Sequence, residues 1–169
     1  ERLKKVKMLV TDVDGVMTDG SIFLGVNEEL KKYNTLDGAG VKFLIRNNIK
    51  VVVITGRESP IVFRRARELG IDEVHQRALK KLPVFEAMLK KYNLSPEEEA
   101  CVGDDLPDLP LLRHAGVAFA VANATDEVKE HAHYVTQARG GEGALREIAE
   151  LILKAQNKWS QVVNSYLEQ

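Results

Sequence analysis

The sequence predicts an α/β fold built on a mostly parallel sheet. Three observations predict it. Short apolar, β-rich runs recur at residues 6–13, 51–55, 72–76, 100–103, 117–121 and 134–136. Several are near-continuously apolar, as in VVVIT, which is how a strand covered on both faces reads. Helix-length amphipathic segments separate the runs, and such alternation argues for parallel strands joined by helical crossovers.

The first run ends in VTDVDGVMTDG, where two carboxylates, Asp12 and Asp14, follow a strand. The next stretch, GSIFLGVNEELKKYNT, breaks the alternation. Its residues 21–24 and 30–35 are expected to pair as a hairpin across GVNEE, with a helix starting near Gly40. Ser59-Pro60 supplies a cap followed by a proline at the first helical position. Residues 82–92 put Leu82, Phe85, Leu89 and Tyr92 on one stripe, and residues 144–155 do the same with Leu145, Ile148, Ile152 and Ala155. Ser95-Pro96-Glu97-Glu98 reads as a capping box for a single turn. The tail is weakly helical, and its Trp159 is read as a packing residue. Residues 1–156 are therefore expected to form one domain with a small insertion at 21–35, leaving 157–169 as a tail that is either mobile or docked on a partner.

Composition narrows the function classes. With 169 residues, 44% apolar and 29% charged, the chain suits one soluble domain. A net charge of −1 gives no push toward nucleic acid or an anionic membrane. Cys101 is the one cysteine, so no disulfide can form within the chain, and a reducing, cytoplasmic setting is expected. No apolar stretch approaches the roughly 18 residues of a membrane span. The opening ERLKKVKMLV does not read as a signal peptide. It also lacks an initiator methionine, which leaves room for a few preceding residues or a whole preceding domain.

The chemistry gathers at strand ends. Asp12 and Asp14 alone could be a turn after a strand, with Gly15 supplying backbone freedom. A second cluster, VGDDLPDLP, sets Asp104, Asp105 and Asp108 after another apolar run. In a parallel sheet the carboxyl ends of all strands share one edge, so Asp12, Asp14 and Asp104 are expected to converge there. Several carboxylates stay ionised together only with a cation or a shared proton. An oxygen-only set points to a hard ion, Mg²⁺ by default. Thr55 and Gly56, in VVVITGR, stand where a hydroxyl and backbone N–H groups can hold an anion, or else where a strand simply turns. Lys81 opens a helix after QRALKK, either as a phosphate counter-charge or as a surface lysine, with Lys80 as its competitor.

The order DVDGV, ITGR, a lysine opening a helix, then GDDLPD resembles the haloacid dehalogenase superfamily of phosphotransferases, over about residues 9–108. The resemblance implies a doubly wound, Rossmann-like fold and a specific division of labour. Asp12 would be the nucleophile and Asp14 the general acid and base. Thr55 would bind the transferring phosphoryl group, and Lys81 would stabilise it. Asp104 would hold Mg²⁺ with the Asp12 carboxylate and the Asp14 main-chain carbonyl, supported by Asp105 and Asp108. The chemistry suits the spacing: a carboxylate can attack phosphorus, and a residue two further along an extended segment faces the same side. With only a hairpin in place of a large lid, phosphatase is favoured over mutase.

The stretches DVDGVMTDG, DGAGVKFLIRNNIKVVVITGRES, VGDDLPDLP and ARGGEGALREI resemble, within that superfamily, the capless phosphatases of phosphorylated eight- and nine-carbon sugar acids. That family implies a homotetramer in which hairpins meet and a neighbour covers each site, and a role in making the sugar acid of bacterial lipopolysaccharide. Arg57 favours the eight-carbon substrate and either contacts its carboxylate or makes an internal salt bridge. Arg65 would reach a neighbour's site, or remain a helix-surface charge. Asp37 either contacts the sugar or turns the chain. The Arg139–Gly143 loop either gates a site or leads into the last helix. His75, His114, His131 and His133 show no metal-site spacing. Competing readings are a nine-carbon sugar-acid phosphatase, a phosphatase of a macromolecular phosphoester, and a non-catalytic module of a nucleotide-sugar synthetase.

Overall fold

The computed structural model describes residues 1–168. In chain order its elements are β1 (Met8–Thr11), β2 (Phe23–Leu24), β3 (Glu29–Leu30), α1 (Thr35–Arg46), β4 (Lys50–Ile54), α2 (Pro60–Leu69), β5 (Glu73–His75), α3 (Lys81–Tyr92), β6 (Glu99–Gly103), α4 (Leu109–His114), β7 (Val117–Ala120), α5 (Asp126–Glu130), β8 (Tyr134–Val135), α6 (Ala144–Ala155) and α7 (Trp159–Leu167). Six strands form one sheet in the order β5-β4-β1-β6-β7-β8, with every pairing parallel. The chain leaves β1 toward β4 and β5, then returns to β6 and continues outward to β7 and β8. The order therefore reverses between neighbours β1 and β6. Ligands of open α/β sheets bind in the crevice at the carboxyl end of such a reversal.

The apolar runs became the buried strands. Met8, Leu9 and Val10 of β1 and Val52, Val53 and Ile54 of β4 are at most 1% exposed. Each such side chain contributes about 1.5–3 kcal/mol when fully buried. Helices α1 and α6 pack on each other, while α3 and α4 pair on the sheet separately. The α2 start follows the expected chemistry: Ser59 accepts from the Ile61 N–H and Pro60 occupies the first turn. The single turn at Pro96–Glu98 carries its capping box.

Three expectations need correction. Helix α1 starts at Thr35, capped by the Asn34 side chain on Leu36 N and Asp37 N, rather than near Gly40. The hairpin is shorter than residues 21–24 with 30–35: Phe23 pairs with Leu30 and Leu24 with Glu29, beyond which only an isolated bridge joins Thr18 to Tyr33. The tail forms α7, docked on its own chain. The Phe43 ring meets Trp159 edge-on at 6.0 Å and Tyr166 at 5.9 Å, and Arg146 lies over Phe43 and Trp159.

Candidate active site

The reversal of strand order brings two acidic loops together. Asp12 lies just past β1, and Asp104 lies just past β6. A carboxylate oxygen from each of Asp12, Asp104 and Asp108 falls within 4.8 Å of the others. Asp108 is thus a member of the cluster itself. Its Oδ2 accepts from the Asp104 and Asp105 N–H groups at 3.0 and 3.3 Å, folding the acidic loop back on its own strand. Asp105 is exposed and caps the short 3-10 turn that follows, accepting from Leu106 N. Gly15 makes the approach of the loops possible. Its φ is +89°, and a Cβ there would sit 2.6 Å from the Asp104 carboxyl carbon.

Lys81 supplies the opposing charge. It is the first residue of α3, and its side chain is only 2% exposed. Its Nζ stands 3.2 Å from Asp12 Oδ2 and 2.6 Å from Asp108 Oδ1. Lys80 is exposed beside it, so the helix start selects between the two lysines. Burial opposes the charge on Lys81, but Asp12 and Asp108 outweigh it and hold its pKa above the ordinary lysine value. Burial, followed by the Asp108 charge, pushes Asp12 up to about 6. Burial, with Asp108 and Asp12 close by, pushes Asp104 up to about 8. One ammonium does not balance three carboxylates.

Asp14 faces a different set of partners. The Lys31 ammonium, buried and contributed by the segment after β3, is ion-paired to it. Arg57 Nε lies 3.7 Å from Asp14 Oδ2, and Arg57 Nη2 donates to Glu29 Oε1 at 2.9 Å. Glu29 also lies 3.5 Å from Lys31 Nζ. The hairpin is therefore fastened to the site by two acids and two cations. Lys31 and Glu29 were not singled out from sequence, where they read only as parts of the hairpin strand and its turn. The Tyr33 hydroxyl is buried near this network with no hydrogen-bond partner, and burial and the Asp14 charge push its pKa up.

Thr55 is 2% exposed just past β4, and its main chain is tied to His75 O and Ala78 N. A Cβ built on Gly56 meets nothing within 4 Å, so the Thr55–Arg57 turn borders open space. Arg57 is half exposed there. Arg65 is turned inward instead: it donates to Asn34 O and to Glu68, lies over the Tyr33 ring at 5.4 Å, and is 20% exposed. Asp37 is 3% exposed, and its two oxygens accept from Gly143 N and Arg146 N. In this chain it holds the start of α6 and touches no member of the carboxylate cluster.

An all-oxygen donor set with crowded negative charge fits a hard divalent cation. Three carboxylates gathered within 4.8 Å, with one buried ammonium against two of them, are the physical mark of that fit, because a cation favours their ionised forms. The same constellation, with a buried, ion-paired lysine and a second acid two residues from the first, is suited to phosphoryl transfer.

The chain is similar to known phosphatases over most of its length. A profile for haloacid dehalogenase-like hydrolases matches residues 71–148. The 3-deoxy-D-manno-octulosonate 8-phosphate phosphatase of Yersinia pestis is 43% identical over 159 residues, 94% of this chain and 85% of that protein. A probable YrbI family phosphatase from Pseudomonas syringae superposes with a TM-score of 0.97 at 47% identity, covering 99% of this chain and 96% of that one. The phosphatase from Moraxella catarrhalis, solved with a magnesium ion, a phosphate ion and a KDO molecule, superposes at 0.96 with 38% identity, covering 98% and 95%.

Proposed function

The chain belongs to the haloacid dehalogenase-like hydrolases, and from its 43% identity, over 94% of its length, to a 3-deoxy-D-manno-octulosonate 8-phosphate phosphatase we propose that it hydrolyses that 8-phosphate ester. It is a phosphoric monoester hydrolase, and its product is the free sugar acid used for bacterial lipopolysaccharide. The observation that carries the reading is the convergence of Asp12, Asp104, Asp108 and Lys81 at the reversal of the sheet, with Asp14 beside them on its own cation pair. Mg²⁺ would be held by the carboxylates of Asp12 and Asp104 and the main-chain carbonyl of Asp14, with Asp108 supporting. Once bound, it neutralises charge on the phosphoryl oxygens and lets the acids ionise together.

The residues divide the work. An oxygen of Asp12 attacks phosphorus while the bond to the sugar oxygen breaks, giving an aspartyl-phosphate and an alcohol. The Asp14 carboxyl gives its proton to the departing oxygen, then takes one from the water that attacks the intermediate, and phosphate leaves. Lys81 opposes the charge on Asp12 and on the transferring group, which is worth most in a dry site. Thr55 and the N–H groups of Gly56 and Arg57 receive the phosphoryl oxygens. Lys31 and Arg57 hold Asp14 in place. Arg57 makes the internal salt bridge, to Glu29 and Asp14, and being half exposed at the cleft it could still offer its guanidinium to the substrate carboxylate by giving up Glu29.

The apolar hairpin supports a homotetramer. Phe23, Leu24 and Leu30 on the two short strands are 58%, 75% and 58% exposed, and Val26 in the turn between them is 99% exposed. A patch of this kind on a single chain marks an interaction surface. Neighbouring subunits would bury it and cover the sites, replacing the lid that the chain lacks.

The test is phosphate release from a panel of esters with Mg²⁺ or with chelator. The octulosonate 8-phosphate should be strongly preferred over nine-carbon 9-phosphates and hexose phosphates, and chelation should abolish turnover. A flat, weak profile would remove the sugar-acid assignment and leave the phosphatase chemistry standing.

A further inference from the structure

We propose that Asn123 is a positioning residue for proton transfer by Asp14. The inference rests on the phosphatase reading and on Asp14 as its acid and base. Asp14 lies in the turn Val13–Val16, and its carboxylate is fixed from one side by Lys31 and Arg57. General acid catalysis also needs the main chain beneath the carboxyl to stay put, since small displacements cost large factors in rate.

Gly15, the next residue, is gripped at both its polar groups. Its N–H donates to Thr18 Oγ1 at 3.3 Å, three residues further along the same loop. Its carbonyl accepts from Asn123 Nδ2 at 3.1 Å, from the loop after β7, 108 residues away. Asn123 Oδ1 in turn accepts from Gly140 N at 2.6 Å. One partner requires a donor and the other an acceptor, so together they fix which way the amide faces.

The loop after β8 completes the clamp. Gly141 N donates to Val16 O at 2.9 Å. Gly140 packs against the Gly15 carbonyl, and a Cβ there would also come within 3.0 Å of Val16 Cα. The two outer loops are joined to each other through Thr136, which accepts from Ala122 N at 3.2 Å and donates to Ala138 O at 2.6 Å. The Gly15–Val16 segment directly after Asp14 is thus held by two loops that carry no catalytic group, and Asn123 is the side chain that reaches the Gly15 carbonyl.

The experiment compares two kinds of ester. An alkyl ester, the octulosonate 8-phosphate, needs a proton on its leaving oxygen. An aryl ester, p-nitrophenyl phosphate, leaves as a stable phenolate and hardly needs one. kcat/KM is measured for both with saturating Mg²⁺, alongside Tm, in the parent protein, Asp14→Asn, Asn123→Ala and Asn123→Asp. Asn123→Asp keeps the side-chain shape while replacing the donor to Gly15 by an oxygen, so it carries the test if Asn123→Ala does not fold. Asp14→Asn should lose about 100-fold or more on the alkyl ester and far less on the aryl ester. The Asn123 variants should show the same selective loss, about tenfold or more on the alkyl ester against under about threefold on the aryl one. Equal losses on both esters, or no loss, would overturn the role of Asn123. Equal losses in Asp14→Asn would instead refute Asp14 as the acid.

Discussion

Replacing Lys81 by methionine keeps the length of the side chain and removes its charge from between Asp12 and Asp108. The lost contacts are ion pairs at 3.2 and 2.6 Å on a side chain that is 2% exposed. Removing one partner from a buried pair costs about 3–5 kcal/mol, because the other charge is left uncompensated. In a chain of this size each kcal/mol moves Tm by roughly 2–4 °C, so the expected drop at pH 7 is about 6–20 °C. The drop should shrink toward pH 5. Asp12, up to about 6, passes from mostly ionised at pH 7 to mostly protonated at pH 5, while Asp104, up to about 8, is largely protonated at both, so the charge left unpaired at Asp12 is smaller. Mg²⁺ should recover much of the lost Tm. Turnover should stay down by about 100-fold or more, because charge stabilisation in the transition state is lost as well. The assay is thermal unfolding at both pH values with and without Mg²⁺, beside steady-state phosphate release. A variant within about 2 °C of the parent at pH 7, or within tenfold in turnover, would refute the reasoning.

Two further outcomes follow from other parts of the molecule. Glu99 is fully buried at the start of β6, neither of its oxygens has a hydrogen-bond partner, and burial holds its pKa well above the usual carboxylate value. The native state therefore binds this proton more tightly than the unfolded chain does, and its stabilising effect, complete below the unfolded pKa, is lost as pH rises toward the folded one. The loss is about 1.4 kcal/mol per pH unit. Glu99→Gln should flatten that slope, so its Tm gains on the parent between pH 5 and pH 8; parallel curves would contradict the assignment. Charging the hairpin with Leu24→Asp and Val26→Asp should lower the mass measured by sedimentation; a parent protein that is already monomeric would end the tetramer proposal.

Much of the fold was legible because it is written in local signals. The parallel strands announced themselves as apolar runs, and Ser59-Pro60 and the Ser95 box marked helix starts as capping chemistry requires. What stayed hidden depended on distant partners. Gly38 and Gly40 make LDGAG look like a loop, yet they lie inside α1 because a Cβ at Gly40 would come within 3.0 Å of the α6 backbone at Arg146. Asp37 in that stretch serves the start of α6, 106 and 109 residues away, which no local pattern reveals. The acidic motifs after β1 and β6 pointed to a shared edge on topology alone. Lys31 did not stand out, because a lysine in a charged run differs from a buried one only in where the hairpin folds. Asn123 was missed for the same reason: its two partners come from loops on either side of it in the fold.

The central claim is that Asp12 attacks phosphorus, and acid-quenched Asp14→Asn enzyme tests it most directly. With the acid and base removed, the intermediate should break down slowly after an aryl phosphate has loaded it. Mass spectrometry of the digested protein should find one phosphoryl group on the peptide containing Asp12, labile to hydroxylamine, and none when Asp12→Asn is added. Product release with no phosphorylated peptide, or a phosphoryl group mapped to another residue, would contradict the account.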